Sequence, residues 1–343
     1  MYVNKNFSLK GVLTFSGGHI IWLTAWSISM TVVYEFTPFT WSIPWLPLSV
    51  IGTAVAFYVG FKNNSAYDRL WEARKIWGAI VNDSRAIGSM IKSYISDVFT
   101  EVDKAHLHQS KQELIYRHIA WLYTLRNQLL IPTPWEHVNQ GKHVGKLNKK
   151  RMEKWGTGLH ADGGFTEDEL KKLLPSDEYE RLINCKNTAT QIIDQQSQKL
   201  LELRKNLLID DFRHMEMQNV FNKFYVHQGK CERIKKFPLP RQYGSMSSVF
   251  VGIFIFLLPF GMVSEFAKLG DFGAWLSVPF TVLIGWVYLM MELVGDYSEN
   301  PFEGLGNDIP MLSLCRTIEI DLREMLGETD LPPAIEAKNG VLM

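Results

Sequence analysis

Neither sign of charge is in excess in this chain of 343 residues: Lys+Arg and Asp+Glu each number 36. A nucleic-acid binder would carry a basic surplus, and an acidic disordered chain the opposite one with few apolar residues. Both classes are excluded, and no nucleic-acid partner is expected. Cysteine is scarce, at 3, and no C-x-x-C pair occurs. Cys185, Cys231 and Cys315 therefore read as reduced thiols filling the core rather than as zinc ligands. His106 and His108 stand two apart on a helical stretch and face different ways, so no metal site is expected there. The catalytic signatures are missing too: no G-x-x-x-x-G-K-[ST], no G-x-G-x-x-G after a strand, no H-E-x-x-H and no G-x-S-x-G. No catalytic residue, cofactor or enzyme activity is expected.

The most informative absence is local. Residues 11–34, 36–61, 244–264 and 272–291 contain no Asp, Glu, Lys or Arg. A hydrophobic content of 46% and a mean hydropathy of −0.06 resemble a soluble enzyme only because the charges are segregated elsewhere. Each run is long enough for a bilayer core, which takes about 20 apolar residues in a helix. Core helices of a soluble domain would show a polar stripe, and residues 249–258 have no polar face. The chain reads as a multi-pass protein of the cell (inner) membrane, with the lipid bilayer as a partner. Lys5 and Lys10 precede the first run as in a secretory signal, but that run is too long for one and no small-residue cleavage pattern closes it. Trp22, Trp26, Trp41, Trp45, Trp275 and Trp286 suit interfacial anchors.

Topology can be read from the short connections. The turn at 36–47, rich in Pro and Trp, has only Glu35 beside it, and the last two runs are joined through Glu265, Lys268 and Asp271. The opposite ends are basic: Lys5 and Lys10; Lys62, Arg69, Arg74 and Lys75; Arg233, Lys235, Lys236 and Arg241. The excess of basic residues on the inner side puts both termini and the middle segment in the cytoplasm. The expected division is 1–61 (N-terminal segment and first membrane hairpin), 62–243 (cytosolic helical domain), 244–291 (second hairpin) and 292–343 (cytosolic C-terminal segment).

The middle segment reads as all-α. Residues 67–77 and 106–130 have apolar positions at i, i+3/i+4 and i+7. Residues 133–165 read as a loop or broken helix, with a solvated basic loop at 146–151. Thr166 with Glu169 is a capping box opening a helix, and helices are expected over 188–208 and 211–228. Pro259 and Pro279 should kink the last two spans.

Apart from tyrosines, which stay neutral near pH 7, the spanning runs hold no ionisable group except His19. Coupled transporters and pumps place such groups mid-membrane, so a passive pore is favoured. In the second run Gly52, Ala56 and Gly60 form a small-residue ridge, and one position on Thr53, Phe57 and Phe61 form a parallel stripe about 100° round the helix. If the ridge packs on a neighbouring copy, the stripe faces a central axis; otherwise Phe57 and Phe61 face lipid.

The segment at the end of that stripe carries a resemblance. Residues 60–74, GFKNNSAYDRLWEAR, then Trp77-Gly78, are similar to the signature of the prokaryotic bestrophin homologues. Residues 229–234 with 238–243 resemble the family's second block, and 299–302, 307–310 and 315–319 its third. The resemblance covers nearly the whole chain. It implies an all-α homopentameric channel with four transmembrane helices per subunit, a large cytosolic helical domain and one axial pore. It implies a hydrophobic neck on the second span at Thr53, Phe57 and Phe61, a pore mouth at Lys62, Asn63 and Asn64, and a cytosolic aperture at Phe212 after Asp210 and Asp211. Thr53 stands where Ile is usual, making the outer ring wetter. The calcium clasp of animal members needs an acidic run after Asn-Pro-Phe, of which Asp308 is the main remnant, so calcium gating is not expected.

The expected function is therefore an ion channel passing monovalent ions, with anions such as chloride slightly favoured. Phe57 matches the choice in animal members, ring edges favour anions, and Lys62 adds positive potential that Asp68 and Glu72 oppose. A sodium-type cation channel is the alternative, and a membrane-anchored helical scaffold or sensor without conductance is the rival from another class. Asp68, Arg69, Glu72 and Arg74 read as structural ion pairs, and Glu232 with Arg233 as an interface pair.

Overall fold

The computed structural model describes residues 1–38, 42–155, 157–158 and 166–343; Trp41, and residues 156 and 159–165 of the segment read above as a loop or broken helix, lie outside the described residues. The described residues are helical, with isolated β-bridges at Tyr2–Val341 and Lys338–Val341 and no strand. In order the helices are α1 (Leu9–Phe36), α2 (Trp45–Tyr94), α3 (Lys104–Leu130), α4 (Lys142–Trp155), α5 (Glu167–Leu173), α6 (Ser176–Ile183), α7 (Thr188–Lys205), α8 (Asp211–Lys236), α9 (Arg241–Ala267), α10 (Gly273–Asp296) and α11 (Met311–Met325). They form two compact units. One comprises Asn4–Arg69 and Pro238–Glu299, the other Met1–Val3, Leu70–Phe237 and Asn300–Met343. The division falls after Arg69 and before Pro238.

Within the first unit α1, α9 and α10 pack on one another. Leu23, Leu48, Val55, Val59, Phe254 and Leu258 are among its buried core. Between helices in a bilayer, lipid tails are as apolar as leucine, so close packing rather than water exclusion holds the contact. Gly261 shows how: a methyl added there would lie 2.5 Å from Leu48 Cδ2, so α9 gives up a side chain to seat that leucine. Trp26 stacks on Phe256 with centroids 5.1 Å apart. Pro259 and Pro279 lie inside α9 and α10.

Among the described residues, three helical stretches are long and apolar enough to cross a membrane: Trp45–Tyr94, Asp211–Ala267, whose apolar part is α9, and Gly273–Asp296. The first charge-free run folds as α1 but is not one of them, because serine, threonine, glycine and His19 dilute its apolar residues. The second run does not end as a separate span. It continues as one helix of 50 residues through the helical pattern at 67–77, since the polar stretch 62–69 holds neither proline nor glycine.

In the second unit α3 is central, packing on α5, α7, α8 and α11. Residues Leu114, Ile115, Ile119, Leu122 and Leu125 on it are fully buried. Arg117, 2% exposed, grips Glu178 with two parallel bonds of 2.8 Å, a bidentate geometry that helps offset the cost of burying both charges. The capping box is present: Thr166 Oγ1 accepts from Glu169 N and the Glu169 side chain accepts from Thr166 N. The basic segment 146–151 is part of α4, not a loop. Cys231 and Cys315 are fully buried, and burial pushes the Cys315 thiol up to about 12 and raises Cys231 as well, which makes both inert. Cys185 is only half-buried, so it is not a core residue.

Candidate functional site

In the first unit α2 presents two faces of opposite character. Leu48, Gly52, Val55, Val59, Lys62 and Ala66 are buried at spacings of four and three, the seam of a helix laid against neighbours. Val50, Thr53, Phe57, Phe61 and Asn64 are exposed at the same spacings on the other side. Phe57 is 70% and Phe61 58% exposed, and their rings meet edge to face at 4.9 Å and 86°. Thr53 donates its hydroxyl to Ser49 O at 2.9 Å. Its proton is thus committed to the helix. All three expected neck residues therefore share one exposed stripe.

The small-residue ridge does not behave as a unit. Gly52 is buried within its own chain: a methyl there would sit 2.8 Å from the Phe254 ring, and Tyr288 donates its hydroxyl to Gly52 O at 3.0 Å. Gly60 is exposed with nothing within 4 Å of such a methyl. The back of α2 is fastened elsewhere as well. Tyr58 donates to Gln242 O at 2.7 Å, and Asn63 Nδ2 donates to Met291 O at 2.9 Å.

Lys62 departs from the expected mouth. It is fully buried, with Nζ 2.5 Å from Glu292 Oε1, so its charge is neutralised inside the unit rather than offered to a passing ion. Ser247 and Ser248 donate to the same Oε1 at 2.9 and 2.7 Å. Asn63 is half-buried and Asn64 exposed; of the three mouth residues only Asn64 lies on the exposed stripe. Glu292, which sequence reasoning missed, is the first charged residue after the apolar run 272–291, and that adjacency is the one signal that could have found it. Arg69 donates to Glu299 O at 2.8 Å within this unit.

Phe212 belongs to the other unit and is described on its own. It sits in the first turn of α8 and is 84% exposed. Asp210 caps that helix, accepting from Arg213 N at 2.9 Å. Asp211 pairs with Arg204 at 2.5 Å, which holds its carboxyl below the usual range. Charged partners on both sides of the turn thus leave a phenylalanine projecting between them.

The Asn-Pro-Phe loop, also in that unit, is braced by buried charge. Glu303 accepts from Asn300 Nδ2 at 2.8 Å and lies 2.9 Å from His137 Nδ1. Lys235 pairs with Glu136 and donates to Phe302 O. Asp308 Oδ2 accepts from Gly304 N and Leu305 N at 2.8 and 2.9 Å, so this acid caps its own loop. Burial and the neighbouring Glu303 push its pKa up to about 7. Of the charged residues near the end of the expected span, Glu72 pairs with Arg233 at 2.5 Å. Glu232 is instead bonded by Gln228 and Asn187, so Glu232 and Arg233 are not a pair with each other: adjacent positions on a helix point apart.

Residues 12–324 match the family described as Bacterial/Fungal Bestrophin protein. The voltage-dependent anion channel-forming protein YneE of Escherichia coli strain K12 is 24% identical over 316 residues, which are 92% of this chain and 85% of that protein. A protein of the same description from Ralstonia nicotianae is 24% identical over 315 residues, 92% of this chain and 88% of its own. A crystal structure of a bacterial bestrophin homologue from Klebsiella pneumoniae superposes with a TM-score of 0.72 at 21% identity, covering 91% of this chain and 98% of that one. That likeness extends the match to the fold.

Proposed function

Because the chain belongs to the family of bacterial and fungal bestrophins, we propose that it forms a channel passing monovalent anions such as chloride across the inner membrane. Several copies, five in this reading, bring the Thr53, Phe57 and Phe61 stripes together round one axial path. The observation that carries the reading is the two-faced helix: α2 buries one side in its own unit and leaves a stripe of two phenylalanines and a threonine uncovered. In a monomer that stripe would be spent on lipid; in a ring of copies it forms a hydrophobic constriction that gates by excluding water. Four spans per subunit, α1 included, and both termini in the cytoplasm complete the proposal. Phe212 forms a second constriction on the cytoplasmic side, and Asn64 stands at the mouth of the neck.

The preference for anions rests on the relatives named as anion channel-forming proteins. Electrostatics within the first unit favour the second reading, a cation-conducting channel, because Lys62 is neutralised by Glu292 and Asp68 is exposed. Reversal potentials of the reconstituted protein in asymmetric NaCl separate the two. A potential that tracks the chloride gradient supports the proposal, one that tracks sodium replaces it with the second, and no conductance favours a scaffold.

A further inference from the structure

We propose that Glu292, with Ser247 and Ser248, is a clamp that fixes the rotation of α2 through Lys62 and so aims Phe57 and Phe61. This inference rests on the reading of α2 as the pore helix and adds residues to it that contribute nothing to the lining itself.

The geometry is specific. Lys62 comes directly after Phe61, and at about 100° per residue it stands about 140° round the helix from Phe57, on the face that holds Val59 and Ala66. Its ammonium is fully buried and meets one oxygen, Glu292 Oε1 on α10, at 2.5 Å. Ser247 and Ser248 on α9 donate to that same oxygen at 2.9 and 2.7 Å. Glu292 is 5% exposed, and its Oε2 has no hydrogen-bond partner. Three helices thus converge on a single atom.

A point contact of this kind resists rotation in a way that apolar packing does not. Turning α2 about its axis disturbs the close packing at Gly52 and Val59 only by degrees, but it draws a buried ammonium away from its counter-charge, the costliest single contact to break. Asn63 adds a bond to Met291 O beside it. The angle at which the Phe61 ring leaves the helix is thereby tied to Glu292, 230 positions from Lys62 along the chain. Glu292 touches no permeating ion in this scheme; it is a positioning residue.

The test is made on purified full-length protein reconstituted in liposomes, with chloride flux and the chloride-to-sodium permeability ratio as readouts. Single substitutions leave a buried charge unpaired and can prevent folding, so Lys62→Met with Glu292→Met replaces the pair by apolar chains of similar length. Ser247→Ala with Ser248→Ala keeps the pair and removes two donors. With elution volume and melting temperature close to the parent, the Met pair is expected to raise flux about five-fold and to lower the permeability ratio about two-fold, as rings freed from their angle open the constriction. The Ala pair should move both readouts in the same direction by less. A merely structural pair would shift the melting temperature and leave the permeability ratio alone. A conducting parent whose variants keep its flux and ratio overturns the clamp while leaving the channel reading intact. A folded parent that does not conduct overturns both. Should the Met pair fail to assemble, the Ala pair decides.

Discussion

Truncating Phe57 to alanine should raise ion flux about ten-fold, a size set by how much apolar surface water must cover to fill the neck. Phe57 is 70% exposed in its own subunit. A phenylalanine has on the order of 200 Å² to bury, so roughly 140 Å² per copy is available to face a conducting path. Wetting it costs about 3.5 kcal/mol per copy at about 25 cal/mol per Å². Alanine removes roughly two-thirds of that surface, and where half of the saving falls on the axis the barrier drops by somewhat over 1 kcal/mol per copy, so the saving at a single copy already gives close to a ten-fold rise in rate and ten-fold is the floor for a ring of copies. The gain stays near that level because the Phe61 ring, 4.9 Å away, still lines the next layer. The assay is chloride flux from proteoliposomes at matched protein content, with assembly checked by elution volume. Unchanged or reduced flux through a correctly assembled Phe57→Ala protein would refute the reasoning, for that is the behaviour of a ring that faces acyl chains.

Other substitutions test the framework behind the neck. Gly52→Ala adds a methyl 2.8 Å from the Phe254 ring; the overpacking of about 1–3 kcal/mol outweighs the gain of about 1 kcal/mol in helix propensity, and a lower melting temperature in detergent is the expected result. Leu207 takes the left-handed position (φ 57) at the end of α7, with Leu208 N bonded to Leu203 O and Leu207 N to Arg204 O. Glycine suits that place better than leucine, and since Leu207 is half exposed, Leu207→Gly should stabilise the chain by about 1 kcal/mol in chemical denaturation. Asp308 carries its proton up to about pH 7 when folded against an ordinary value of 3.8. An acid raised in this way binds its proton more tightly in the folded state, so stability falls as pH rises between those values and stays low above them. The full difference is about 4 kcal/mol. Asp308→Asn should flatten the melting temperature between pH 5 and pH 8, and a variant with the parent's slope would show that another group carries it.

Much of this arrangement could be read before any coordinates. A charge-free run reports directly on what surrounds a helix, so α9 and α10 stand where hydropathy put them, and α1 ends at Phe36 beside the turn expected there. Thr166 with Glu169 spelled out a cap because both bonds are local. The stripe of Thr53, Phe57 and Phe61 was legible as a stripe, since spacing on a helix is geometry; which way it faced was not, because lipid and a pore select for similar side chains. Pairings across the chain were opaque. Lys62 was placed at the mouth by the family resemblance, whereas its partner Glu292 lies 230 residues away. Arg233 seemed to belong with Glu232 and in fact meets Glu72. That the second run and the helical pattern at 67–77 belong to one helix was not legible either; Lys62 and Ala66 are buried along it.

Whether water reaches position 57 is the deciding question. A Phe57→Cys variant, made with Cys185→Ser so that the half-buried native thiol is silent, can be exposed to a charged, membrane-impermeant thiol reagent while current is recorded. A pore-facing stripe predicts rapid modification and an irreversible change in current. A cysteine that ignores this reagent, reacts only with a lipid-soluble one and leaves the current unchanged would mean that the stripe faces the bilayer and that ions, if they cross, do so elsewhere.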